Sequence, residues 1–136
     1  MTVIDTSAFM KFFLHEDGWE EVLPHLTTAS SPETVDLLVT ESANVLWKSV
    51  RAGLIEKGKV HELYSSMELL FTKGPLILKP ASLFMGEALS IAILLDTPVY
   101  DALFIAKAHS DHDTLVTADR HQAICAKKYG VTAIQV

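Results

Sequence analysis

Four acidic residues each stand beside a break between apolar segments: Asp5 in VIDTS, Glu41 in VTESAN, Asp101 in VYDALF and Asp119 in VTADR. Brought together in a partly dry cleft, four carboxylates would repel one another strongly. Protons held by raised pKa values, or a hard divalent cation, would have to offset that charge. A ligand set made only of oxygen suits Mg2+ or Mn2+, ions that keep several waters and bind phosphate oxygens. Such an ion polarises a phosphodiester, orients water and stabilises the leaving oxygen. The chemistry requires convergence, and no spacing rule forces it. Asp is also a favoured helix N-cap, and Asp5, Asp101 and Asp119 each precede a helical pattern. Glu41 falls on a polar helix face with Asn44, Lys48 and Arg51, where solvation is the ordinary outcome.

The elements that must position these acids follow from periodicity. Val3-Ile4 is a buried first strand ending at Asp5, and FMKFFL then opens a helix with Phe9, Phe12 and Phe13 on one side. Residues 19–28 read as a second short helix, bent or ended near Pro24. A short strand is expected at 34–36. A helix follows over 37–52, with Val39, Ala43, Leu46 and Val50 as its apolar face and Gly53 at its end. A helix over 55–73 stops at Gly74-Pro75, and Leu76-Ile77-Leu78 is a strand. Ser82 is expected to cap LFMGEALSIAILLD, an almost wholly apolar and therefore central helix. A helix over 101–109, a polar loop at 109–113, a strand at 114–117, a helix over 120–129 and a strand at 131–136 complete the chain. Strands alternating with helices predict an α/β fold, a parallel sheet covered on both faces. In such sheets ligands bind beyond the carboxyl ends of the strands, where Asp5 and Asp119 fall.

A chain of 136 residues suits a single domain spanning 1–136 and can bury a sizeable core without disulfides. A single cysteine, Cys125, excludes a disulfide framework and a multi-cysteine zinc site within the chain. No long apolar run or leader pattern is evident, so no membrane association and a cytoplasmic location are expected. The formal net charge of −6 argues against bulk attraction to nucleic acid but allows a local basic rim or a basic protein partner.

Other residues have plain readings beside functional ones. His109 and His112 have a metal-like spacing, yet a solvated loop is the expectation, and His15-Glu16-Asp17 reads as surface. Trp47 and Tyr64 would stack on bases or pack against neighbours. The three phenylalanines would form core or a dimer face. Cys125, between Ile124 and Ala126, reads as packing. A phosphatase that carries Asp after its first strand needs a second acid where this chain has Ser7, which argues against that class.

Four segments, VIDTSAFMKFF, ESANVLWKSVRAGLI, VYDALFIAKAH and LVTADRH, resemble in order and spacing the PIN domains, and most nearly the VapC toxins of toxin–antitoxin pairs. The resemblance implies a three-layer fold with about five parallel strands flanked by helices. It implies a Mg2+- or Mn2+-dependent endoribonuclease with an acidic quartet at Asp5, Glu41, Asp101 and Asp119 that holds metal and leaves a 5′-phosphate. Thr6 or Ser7 matches the family's hydroxyl after the first acid, and Thr117 the hydroxyl before the last. Where some members carry a further acid after the last one, Arg120, His121 and Gln122 stand here. Lys11, Lys48, Arg51 and Arg120 are candidates to hold the RNA backbone. A cognate antitoxin and a homodimer are the implied partners. The alternative is a non-catalytic PIN-like module that binds RNA or protein.

Overall fold

Short segments, apolar at their centres in all but the Glu-Thr-Val of β2, make the strands β1 (Thr2–Ile4), β2 (Glu33–Val35), β3 (Ile77–Lys79), β4 (Thr114–Thr117) and β5 (Ala133–Gln135). The computed structural model describes residues 1–28 and 30–136. Its strands form one wholly parallel sheet in the order β3-β2-β1-β4-β5. The helices are α1 (Thr6–Phe13), α2 (Leu23–Leu26), α3 (Leu37–Arg51), α4 (Val60–Thr72), α5 (Met85–Leu95), α6 (Val99–Ser110) and α7 (Arg120–Lys128). They flank the sheet in the expected three-layer α/β arrangement.

From β1 the chain builds outward to β3, then crosses back to place β4 on the other side of β1. The reversal puts a crevice beyond the carboxyl ends of β1 and β4. Ile4 is in register with Val116, and the Asp5 N–H donates to the Val116 carbonyl at 3.1 Å, so both strands end at one level.

The core is centred on α6. Every residue from Ala102 to Ala108 is buried, because α6 packs on β1, β2 and β4 and is covered by α5. This corrects the expectation that the apolar segment after Ser82 is the central helix. In α5 only Ala88 and Ile91 are buried, while Leu89, Ile93 and Leu94 are 53%, 76% and 70% exposed. A helix lying outside another buries one stripe, whatever its composition. Nor does Ser82 cap α5. Ser82 lies in a 3-10 turn, Ala81–Leu83, and Phe84 precedes the helix with no side-chain bond.

Three further differences are local. Pro24 sits in the first turn of α2, where its missing N–H costs nothing, so it starts that helix rather than bending it. The buried stripe of α3 is Leu38, Ser42, Leu46 and Ser49, turned from the apolar face read from the sequence. The Ser49 hydroxyl donates to the Val45 carbonyl at 2.9 Å. Helix α6 begins at Val99, after Pro98, so Asp101 lies within its first turn instead of capping it. Gly74 closes α4 because a Cβ there would sit 2.7 Å from the Leu70 Cα. Phe9 is buried and meets Phe13 and Phe71 at 6.1 and 5.5 Å between ring centres, which makes these rings core. Among the described residues, no single helix is long and apolar enough to cross a membrane.

Candidate active site

Asp5 ends β1 and caps α1: its Oδ1 accepts from the Ala8 N–H at 3.0 Å and from the Ser7 hydroxyl at 2.7 Å. Asp119 follows β4 and caps α7, accepting from the Gln122 N–H at 3.2 Å. Asp101 comes from the first turn of α6, and Glu41 from α3. All four line one cavity of about 600 Å³ at the carboxyl edge of the sheet. Capping and a place in the cleft are therefore not alternatives for Asp5 and Asp119. The same short strand-to-helix connection produces both.

Hydroxyl groups fix these carboxylates. Ser7 donates to Asp5 and accepts the Ala118 N–H at 2.8 Å, joining the end of β1 to the end of β4. Its oxygen lies 3.1 Å from the Thr117 hydroxyl, which in turn accepts the Asp119 N–H at 3.0 Å. Thr6 donates to Glu41 at 2.6 Å, tying α1 to α3. Thr117 is fully buried, so its hydroxyl would be costly without these partners.

The electrostatics are strained in one direction. Burial, aided by the charge of Asp119, pushes the Asp5 pKa up to about 6 against hydrogen bonds that lower it. Burial and the neighbouring Asp101 raise Glu41, while burial and Asp119 raise Asp101. Five acids line the cavity, the fifth being Glu16 at its rim, against one cation, Lys48. Lys11, Arg51 and Arg120 do not line it. Arg51 lies over the Trp47 ring, 5.4 Å from its centre. Trp47 and Tyr64 border a separate apolar groove between α3 and α4.

The donor set fits a hard divalent ion held loosely. It offers only oxygen, it is short of positive charge, and burial, then neighbouring acids, pushes Asp5, Glu41 and Asp101 toward protonation, a shift a cation would oppose. Among the described residues, the four acids do not bring three carboxylate oxygens within 4.8 Å of one another. That spacing suits an ion bound through one or two carboxylates with water completing its shell. A tighter acidic group, Glu33, Asp111 and Asp113, lies at the opposite edge of the sheet. It is already filled: the buried Lys107 ammonium sits 2.7 Å from Glu33, 2.6 Å from Asp111 and 3.4 Å from Asp113. Burial pulls the Lys107 pKa down, but Asp111 and Glu33 outweigh it and leave the group above its ordinary value. The segment at 109–113 is largely exposed, as expected of a solvated loop, while Asp111 and the buried Asp113 also anchor Lys107 and His109 Nδ1 lies 2.6 Å from Glu87.

Sequence reasoning missed the contribution of Gln122. It is 2% exposed and lines the cavity, and its amide donates to the Asp101 carbonyl at 2.9 Å. The pattern Asp119-x-x-Gln122 is a capping-box signal, and the backbone half of that box forms. The side-chain half does not, because Thr117 already holds the Asp119 N–H. Cys125 is buried, as expected, with His121 Nε2 3.5 Å from its sulfur.

No family model matches the chain. Ribonuclease VapC3 of Pyrobaculum aerophilum is 28% identical over 121 residues, 89% of this chain and 91% of the relative. Among solved structures, the Mycobacterium tuberculosis toxin VapC20, described as cleaving the sarcin-ricin loop, superposes with a TM-score of 0.72. It is 12% identical, with both chains covered in full. VapBC2 of Rickettsia felis, solved on a DNA fragment from its promoter, gives a TM-score of 0.66 at 14% identity, covering 99% of this chain and 98% of the other. The chain thus shares its parallel five-strand fold with these toxins and is similar in sequence to Ribonuclease VapC3 over most of both lengths.

Proposed function

We propose that this chain is a Mg2+- or Mn2+-dependent endoribonuclease, the toxin of a toxin–antitoxin pair. The observation that carries this reading is the meeting of Asp5, Glu41, Asp101 and Asp119, drawn from four separate elements, around one electron-rich cavity at the switch point of the sheet. VapC3, similar to this chain over most of both lengths, is a ribonuclease by name. A protein–nucleic acid site with so many acids needs a cation to admit a phosphodiester at all.

Asp5, Asp101 and Asp119 would hold the ion, directly or through water, and Glu41 would position a second ion or the attacking water. When bound, the ion supplies a water of lowered pKa and a counter-charge for phosphate oxygens. The chain's own groups do the rest. Ser7 and Thr117 keep the Asp5 and Asp119 carboxylates oriented across the β1–β4 junction. Thr6 fixes one oxygen of Glu41 and leaves the other to accept a proton from water. Lys48, at the cavity wall, would offer a backbone phosphate a positive charge. Lys11, Arg51 and Arg120 would extend that track outside the cavity.

A basic antitoxin segment is the partner that the net charge of −6 and the uncompensated cavity favour, and the exposed apolar face of α5 would serve a homodimer. Action in the cytoplasm, where RNA and antitoxin are met, belongs to the same reading. The test is cleavage of a mixed RNA substrate in Mn2+ by wild type and by Asp101→Asn. The variant should lose cleavage by two or more orders of magnitude while melting as wild type does. Undiminished cleavage by a folded variant would end the proposal.

A further inference from the structure

Gln122 is a buried amide with an unusual set of partners. Its Nε2 reaches 21 residues back along the chain to the carbonyl of Asp101, and its backbone N–H holds Asp119 Oδ1. It therefore touches the elements carrying two of the four acids. Neither the helix nor the cap requires the cross-link. The Asp101 carbonyl lies inside the first turn of α6, where helix geometry already engages it. The local partner that a glutamine three residues after an N-cap normally takes, the cap's own N–H, is held by Thr117.

The arrangement also leaves the Gln122 Oε1 buried with no hydrogen-bond partner among the described residues. A buried amide oxygen without a partner weakens a fold, and an apolar side chain of the same length would avoid the defect. Local rules broken at a site without a stabilising return are expected where function sets the residue. What the residue does achieve is geometric. It fastens the first turn of α6 to the first turn of α7, and so sets the separation of two carboxylates whose charges drive them apart.

On the reading of the site given above, we infer that Gln122 is a positioning residue that holds Asp101 and Asp119 at the spacing a divalent ion needs. It contributes no ligand itself.

The test pairs a metal-free measurement with a metal-binding one. In the metal-free wild type, NMR should find the Gln122 side-chain amide protons exchanging at least tenfold more slowly than those of a free glutamine. Exchange at the free rate overturns the inference whatever the metal does. In Gln122→Met, which keeps length and burial but cannot donate, the Mn2+ dissociation constant measured by calorimetry should weaken about tenfold or more. The kcat for RNA cleavage should fall by a similar factor, with KM for RNA unchanged and the melting temperature in EDTA not lowered. A lowered melting temperature with unchanged Mn2+ affinity marks a packing role and overturns the inference, as does a variant indistinguishable from wild type. Absence of Mn2+ binding by the wild-type protein would overturn the functional reading instead, and the exchange measurement would still judge the link between Gln122 and Asp101.

Discussion

Replacing Asp5 by Asn removes a buried negative charge and keeps an oxygen of the same reach. Asp5 is 4% exposed and its pKa stands at about 6, first because of burial and then because of Asp119. In an unfolded chain an aspartate titrates near 3.9. The folded protein thus binds this proton more tightly than the unfolded chain does. The resulting stabilisation is complete below about pH 4 and is lost as pH rises through about 6. A difference of roughly two units, at about 1.4 kcal/mol each, amounts to about 3 kcal/mol lost at pH 7.5. Asn cannot ionise and does not suffer that loss. Its side-chain oxygen can still accept from the Ala8 N–H and the Ser7 hydroxyl, which wild type engages at 3.0 and 2.7 Å.

In EDTA, Asp5→Asn should therefore exceed wild type by up to about 3 kcal/mol at pH 7.5 and match it near pH 4. Urea titrations at pH 4, 6 and 7.5 read this directly. Saturating Mn2+ should narrow or reverse the gap, since an ion at 100 times its dissociation constant stabilises wild type by about 2.7 kcal/mol. The variant, lacking a ligand, should gain far less. A metal-free variant that is less stable than wild type at pH 7.5, or a gap that does not change with pH, would refute the claim that Asp5 is held against its charge.

Ser7→Ala removes the donor to Asp5 and the acceptor of the Ala118 N–H, and should weaken Mn2+ binding by about 10- to 100-fold. It should also move the acid limb of the pH–kcat profile upward, because one of the bonds that lower the Asp5 pKa is gone. Lys107→Met removes the buried ammonium that Glu33 and Asp113 share and leaves them only the Lys79 ammonium at 3.7 Å and the N-terminal amine at 3.3 Å, and should cost about 3 kcal/mol in urea titrations. Its folded fraction should bind Mn2+ as wild type does, since the acids that Lys107 neutralises lie at the other edge of the sheet. Ile93→Lys places a charge on the exposed apolar face of α5, and sedimentation equilibrium should find a dimer for wild type and a monomer for the variant.

How much of this was legible in the sequence differs element by element. The strands around Asp5 and Asp119 were readable because VI and LVT are short apolar runs that end at their acids. The order β3-β2-β1-β4-β5 was not, since pairing is set by which strands the crossovers can reach, and that is a property of the whole chain. The exchange of roles between α5 and α6 has the same origin. Composition reports how apolar a helix is, while burial depends on how many neighbours it has. The segment of α5 is more uniformly apolar, yet α6 contacts three strands and a helix and buries even Lys107. The lysine was invisible as an anchor because Glu33, Asp111 and Asp113 reach it only after folding. Gln122 carried a local signal, the capping-box spacing, but that signal points to the wrong partner. Thr117 takes the N–H that the pattern assigns to glutamine.

The two acidic groups of this protein have similar ingredients and opposite chemistry. Compactness alone would choose Glu33, Asp111 and Asp113 as the metal site, because their oxygens lie within 4.8 Å of one another. Charge balance chooses the other. The compact group encloses an ammonium from α6, so it needs no further cation and its acids act as structure. The looser group has five acids lining its cavity with Lys48 as the one lining cation among the described residues, and burial, then neighbouring acids, pushes three of its carboxyls toward protonation. Helix α6 serves both, with Asp101 in its first turn and Lys107 near its last, about 9 Å apart along the axis. That is the polarity a helix dipole favours, an anion at the N-terminus and a cation toward the C-terminus. One helix thus carries the charge that closes the structural cluster and an acid that leaves the other in need of an ion.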